Sequence, residues 1–295
     1  MKYTISSKKI KIIHVWFRFA IQLLFFVIMP SVFTTAFSGV KYVFTAVGQG
    51  KHIDVTAFIM VLAAVAVFTI IFGRFFCGFA CAFGSLGDWV HALYMFICKK
   101  IKKKPVNIKE KWKKPASYIK YMILTVIVIM CFTGAYSKYT GWSPWEVFSM
   151  LRAGNLKLGG HVTGLVILIV IVAGMAVCER FFCRFLCPMG AVFALLPVLP
   201  VFSLARERNN CIKGCHACTM KCPSGIELPA LNDITNENIE HKETSTADCF
   251  MCGKCIDTCP KSNIKAKAVP IKTNEIIFTI FRAAILIAIL IYAGI

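Results

Sequence analysis

Eight cysteines in the last third of the chain fall into two groups, and each group closes on Cys-Pro. The first is Cys211, Cys215, Cys218 and Cys222, before Pro223; the second is Cys249, Cys252, Cys255 and Cys259, before Pro260. Two cubane [4Fe–4S] clusters need eight thiolates. Bacterial ferredoxin runs supply them as Cys-x2-Cys-x2-Cys-x3-Cys-Pro, with the fourth cysteine of each run crossing to the other cluster. The second group keeps that spacing, whereas the first has one extra residue in its opening gap, Ile212-Lys213-Gly214. Looping out one residue restores the pattern, and Gly214 has the backbone freedom to do so. The crossed assignment then places Cys211, Cys215, Cys218 and Cys259 on cluster one and Cys249, Cys252, Cys255 and Cys222 on cluster two. Zinc also binds Cys-x-x-Cys pairs, but its sites lack the third cysteine and the following Cys-Pro.

A second set of cysteines lies in a repeat. Arg74-Phe75-Phe76-Cys77-Gly78-Phe79-Ala80-Cys81, with Gly84 beyond it, aligns with Arg180-Phe181-Phe182-Cys183-Arg184-Phe185-Leu186-Cys187, with Pro188 and Gly190 beyond it, at a constant offset of 106 residues. Arg, Phe, Phe, Cys, Phe, Cys and Gly coincide, so the chain is read as two related halves, as in many membrane proteins. A Cys-x-x-x-Cys pair puts two sulfurs near one face of a helical turn. Brought together, Cys77, Cys81, Cys183 and Cys187 suit a [2Fe–2S] centre or a tetrahedral metal. The alternatives are redox-active dithiols, one wall of a quinone site, or close packing by small side chains. Arg74 and Arg180 fit beside an anionic cluster or quinone headgroup, and equally fit as positive anchors at a membrane face.

The elements that must position these residues are mostly apolar. The chain has 295 residues, 58% hydrophobic and 16% charged, which is less charge than a soluble domain carries. Apolar blocks recur at 13–37, 57–76, 117–136, 162–182 and 276–295, each near the ~20 residues that a spanning helix needs. The expected fold class is therefore an all-α polytopic membrane protein of five transmembrane helices with internal duplication. It carries a small α+β bacterial-ferredoxin-type 2[4Fe–4S] domain. Residues 1–98 form the first half, 99–116 a basic cytoplasmic loop, 117–204 the second half, 205–268 the ferredoxin-like segment and 269–295 a last transmembrane helix. Stretches 85–98 and 189–203 are expected to lie along the interface. Residues 223–248, rich in Asn, Glu and Thr, read as a surface excursion that could dock a partner.

The formal net charge of +20 is concentrated at the ends of the apolar blocks, where membrane topology places it, so nucleic acid is not the expected partner. Nine lysines between Lys99 and Lys114, and twelve basic residues between Glu179 and Asn274, hold those segments in the cytoplasm. A bacterial inner-membrane protein follows, with the N-terminus and ferredoxin segment inside and the C-terminus outside. The first block is too long for a cleaved signal. Trp142 and Trp145 fit an interfacial belt, and Arg282, near the cytoplasmic end of the last block, is expected to snorkel. Fifteen cysteines in a large apolar chain do not make a secreted disulfide scaffold. Cys98, Cys131 and Cys178 read as apolar packers. No histidine pair stands mid-span for a haem, and no phosphate loop, dinucleotide fingerprint or Ser-His-Asp set is present. No residue is assigned a catalytic role.

The paired Arg-Phe-Phe-Cys-x-x-x-Cys units followed by a two-cluster segment resemble the membrane polyferredoxins, which include NapH-like quinol dehydrogenase subunits and NosR-like membrane iron–sulfur proteins. The resemblance covers residues 57–265. It implies cytoplasmic clusters on a multi-span protein that passes electrons between a quinol pool and a partner oxidoreductase. The family's Cys-x-x-x-Cys-Pro falls on Cys183, Cys187 and Pro188, whereas Cys77 and Cys81 are followed by Ala82. The expected function is an electron-transfer subunit rather than a stand-alone enzyme, with membrane lipid, a quinone pool and a redox protein as partners. The alternative is a membrane redox-sensing or maturation protein using the same clusters.

Overall fold

The computed structural model describes residues 7–106, 113, 115–155, 159–199, 204–206, 211–212, 215–226, 228, 248–261, 263–266 and 275–294. Gly214, the 109–112 lysines and most of the 223–248 excursion lie outside the described residues.

The first half runs α1 (Ser7–Ile28), α2 (Val32–Gly48), α3 (Ala57–Phe72), a π-turn (Phe76–Ala80) and α4 (Ala82–Lys100). The second runs α5 (Ile119–Phe132), a 3-10 stretch (Ala135–Trp142), α6 (Pro144–Arg152), α7 (Val162–Val177), a second π-turn (Phe182–Leu186) and α8 (Pro188–Leu195). The duplication read from fourteen residues thus extends through each half. α1 packs on the first π-turn and on α4, and α5 packs on the second π-turn and on α8. α2 lies against α3, and α6 against α7. The halves join where α4 meets α7 and α2 meets α5. Gly48 lets α2 approach α5 closely, because a Cβ there would collide with the Phe132 carbonyl.

The helices are shorter and more broken than the apolar blocks. Block 13–37 is two helices meeting at 60°; Pro30 sits at the break, where it cannot continue the α1 hydrogen-bond ladder. α3 and α7 are 16 residues each, about 24 Å at 1.5 Å per residue. Among the described residues no single helix is long and apolar enough to cross a membrane, although α1 and α2 together have the length and composition. The burial pattern is inverted relative to a water-soluble bundle. Val126, Ile129, Val166, Ile169, Val170, Ile277 and Ile280 are more than half exposed, while Arg74, Arg180 and Lys120 are buried.

The cysteine-rich segment is entered through β1 (Leu204–Arg206) and left through β2 (Ile264–Ala266), which pair antiparallel with Leu204 opposite Ala266 and Arg206 opposite Ile264. Two short helices, α9 (Ala217–Met220) and α10 (Lys254–Thr258), pack on each other inside it. α11 (Glu275–Tyr292) then returns to lie against α3 and α1. Arg282 does not snorkel: it is 4% exposed, with its guanidinium 4.7 Å from the Phe75 ring centre and 4.3 Å from that of Phe278.

Candidate iron–sulfur site

Each Arg-Phe-Phe-Cys-x-x-x-Cys unit folds as one π-turn, closed by Cys81 N–H to Phe76 O at 2.9 Å and by Cys187 N–H to Phe182 O at 2.8 Å. π-turns are rare and cluster at functional sites. The closing cysteines share one extended conformation, φ −72° with ψ 122° at Cys81 and 115° at Cys187. Pro188 therefore does not distinguish the second turn from the first, where Ala82 stands. The glycine three residues on is required in both. A Cβ at Gly84 would stand 2.5 Å from the Cys77 carbonyl oxygen, and one at Gly190 would stand 3.0 Å from that of Cys183.

The arginines of the repeat cross over, each to the other half. Arg74 Nη2 donates to the Gly190 carbonyl, and Arg180 donates through Nη1 to Cys77 O (2.5 Å) and through Nη2 to Gly78 O (2.7 Å). Both guanidiniums are essentially unexposed, 1% and 0%, so each needs an anion. Arg180 finds Asp88, with Nη2 to Oδ2 at 2.6 Å and Nε to Oδ1 at 3.1 Å, and Gln22 Nε2 donates to the same Oδ2 at 2.8 Å. Burial opposes ionisation of Asp88, but Arg180 and then Lys254 outweigh it and hold its carboxyl well below the usual range.

At the repeat offset, Asp88 corresponds to Ala194, which has no carboxylate. The missing acid comes from the cysteine-rich segment: Asp248 accepts from Arg74 Nη1 at 2.9 Å and from Lys120 Nζ at 2.8 Å. Burial pushes Asp248 up, yet Arg74 and Lys120 keep it below its ordinary value. The asymmetry between the halves thus seats the segment. Phe250 follows, its ring 5.4 Å from the Arg74 carbon and 5.1 Å from that of Arg180. Gly78 leaves room for the Phe250 carbonyl, which a Cβ would strike. Its counterpart Arg184 donates to Pro223 O at 3.2 Å, directly after Cys222. Lys254 bridges back to Asp88 at 3.4 Å and to Glu179.

Between these anchors Cys222 of the first group meets Cys249, Cys252 and Cys255 of the second around one small cavity, closed by Leu204, Ile226 and Phe250. Cys218 also reaches its wall. Ser224 Oγ donates to Asp248 O at 2.6 Å and ties the two groups together. The site is mostly apolar. Burial, and next the neighbouring Cys252, push the Cys249 thiol up to about 12, so thiolates here need a compensating cation, which a cluster's irons would supply. The donor set fits a four-thiolate cluster. Cys211, Cys215 and Cys259 stand outside this cavity, and Cys259 Sγ accepts from Asn263 N–H at 3.3 Å. Among the described residues, no three His, Cys, Asp or Glu side chains are grouped as the shell of a single ion.

Sequence reasoning missed Asp88, Asp248, Lys120, Gln22 and Lys254. Asp88 did leave a signal: it is the one acid between Asp54 and Glu110, and an acid in so apolar a stretch needs a cation.

A family model described as a 4Fe-4S binding domain matches twice, over residues 53–105 and 161–204, and one described as a 4Fe-4S dicluster domain matches residues 210–264. An uncharacterized protein of Methanocaldococcus jannaschii is 27% identical over 226 residues, 77% of this chain and 76% of its own. Protein NirI of Paracoccus denitrificans is 26% identical, covering 71% of this chain and 29% of its own length. Ferredoxin-type protein NapH of Escherichia coli is 27% identical, covering 63% of this chain and 59% of its own. The chain thus spans less than two thirds of NirI and of NapH. No solved structure matches. Duplicated π-turns beneath a two-group cysteine segment define a ferredoxin-type iron–sulfur protein. The chain is similar to the NapH-like polyferredoxins in this repeat and in the two-group cysteine segment.

Proposed function

We propose that the chain is a membrane-bound electron-transfer protein that moves single electrons between a quinol pool and a partner oxidoreductase. Two [4Fe–4S] clusters, one on Cys222, Cys249, Cys252 and Cys255 and one on Cys211, Cys215, Cys218 and Cys259, would act as the one-electron carriers. The observation that carries this is the cavity where the fourth cysteine of the first group joins three of the second, as the crossed ferredoxin pattern requires.

The chain's own residues fix where that site stands. Arg74, Arg184 and Lys120 seat the segment on the helices, and Leu204 and Phe250 exclude water. A second, partly open recess lies between α1 and α11, lined by His14, Phe17, Arg18, Phe79, Cys252, Asp257 and Thr279. Its polar side chains suit hydrogen bonds to a quinol headgroup, and Cys252 on its wall brings the recess to the edge of the candidate cluster site. The exposed apolar faces of α5, α7 and α11 favour a lipid surround, with the basic 99–116 loop and the cysteine segment on the cytoplasmic side.

The test is the full chain in liposomes, without oxygen, supplied with a short-chain quinol. The expected result is bleaching of the visible iron–sulfur absorbance with electron paramagnetic resonance signals of reduced clusters. Clusters that dithionite reduces and quinol never does would remove the quinol pool from the reading.

A further inference from the structure

Each match to the 4Fe-4S binding model covers only one π-turn, and each turn carries only two cysteines in its motif. Neither half can therefore hold a four-thiolate cluster alone. The fold supplies the rest: the two turns lie beside one another, locked by the crossed arginines. All four thiols are buried. Arg180, three residues before Cys183, donates to the Cys77 carbonyl, and Arg74, three residues before Cys77, donates to the Gly190 carbonyl, three residues after Cys187.

We propose that Cys77, Cys81, Cys183 and Cys187 together hold one further iron–sulfur cluster, shared between the two repeats and roofed by the 248–252 loop. Two features point to it. The surroundings are built for an anion, since four thiolates on a cluster's irons leave net negative charge and the buried Arg74 and Arg180 flank it. The Gly190 N–H is aimed at Cys187 Sγ at 3.2 Å, a hydrogen bond of the kind that tunes a cluster-bound sulfur.

The placement also gives the cluster a neighbour. Arg180 stands three residues before Cys183, and its guanidinium carbon lies 5.1 Å from the ring centre of Phe250, two residues before Cys252. An electron leaving one cluster oxidises it by one and reduces the other by one, with no proton or leaving group to place.

The proposal rests on the reading of the chain as an iron–sulfur protein, and iron counts separate the two. Full-length protein is purified in detergent without oxygen, and iron, acid-labile sulfide and Mössbauer spectra are measured. The ferredoxin groups alone account for about eight irons per chain. The expected count exceeds that by about two for a [2Fe–2S] centre or about four for a cubane. Cys81→Ser with Cys187→Ser should remove only the excess and leave the ferredoxin resonances. A wild-type count of about eight, with all four repeat thiols alkylated on denaturation or joined as disulfides, would overturn the shared cluster and leave the ferredoxin reading intact. Zinc in place of the excess iron would overturn it as well. Because the decisive count is made on the wild type, a variant that fails to fold does not blunt the test. If Cys252→Ser with Cys218→Ser left the iron count unchanged, the ferredoxin reading itself would fall.

Discussion

Arg74 and Asp248 lie 174 residues apart in the sequence and meet at 2.9 Å. Their pair is the seat of the cysteine segment on the first repeat. Asp248→Asn should loosen the 248–252 loop without touching a thiol. Asp248 is 41% exposed on its side chain, so the loss is about 1–2 kcal/mol rather than that of a fully buried pair. Iron release to a chelator should quicken several-fold, with the resting spectrum unchanged.

Arg180 and Asp88 are the buried counterpart, 0% and 8% exposed. Asp88→Ala strands the Arg180 charge and should cost about 3–5 kcal/mol. Thermal unfolding in detergent would register it. Asp88→Ala with Arg180→Met should recover part of the loss, since an apolar replacement of both partners removes the stranded charge.

The same pair predicts a pH dependence. Asp88 ionises more readily in the folded chain than in the unfolded one. On acidification the unfolded state therefore binds the proton first, and stability falls. The contribution is complete above the ordinary aspartate value of about 3.9 and drains away below it. The stability difference between wild type and Asp88→Asn should be flat from pH 7 to about 5 and shrink on further acidification.

Gly78→Ala places a methyl group against the Phe250 carbonyl. Backbone cannot yield as a flexible side chain does, so the loop must lift, at about 1–3 kcal/mol. The paramagnetic signal of the cluster bound by Cys249 should broaden or shift. Gly159→Ala, at a glycine with open space around it and no left-handed backbone, should leave that signal alone.

The crossed ligand pattern can be read directly. Cys222→Ser should disturb the same resonance as Cys252→Ser, and Cys259→Ser the same resonance as Cys215→Ser. If Cys222→Ser instead followed Cys215→Ser, the ligands would be uncrossed.

Much of this was legible because it is written in local spacing. The two Cys-Pro groups and the 106-residue repeat are patterns within a few residues, and ligand chemistry constrains them tightly. The span boundaries were less so. Hydropathy reports composition, not continuity, and the turns at Pro30 and Phe76–Ala80 break blocks that look uniform. The partners of Arg74 and Arg180 were illegible for a different reason. A buried charge demands a counter-ion, but nothing local says whether it comes from α4 or from a loop 174 residues on. Arg282 was misread on the same ground: position near a helix end suggested solvent, and the aromatic faces of Phe75 and Phe278 took it inward.

The β1–β2 ribbon brings Leu204 opposite Ala266, so the chain departs from the helical body and rejoins it at a single doorway. That clasp works like the drawstring of a pouch. Residues gained or lost between its two strands need not move α8 or α11, so the length of that stretch can change without redrawing the helices beneath.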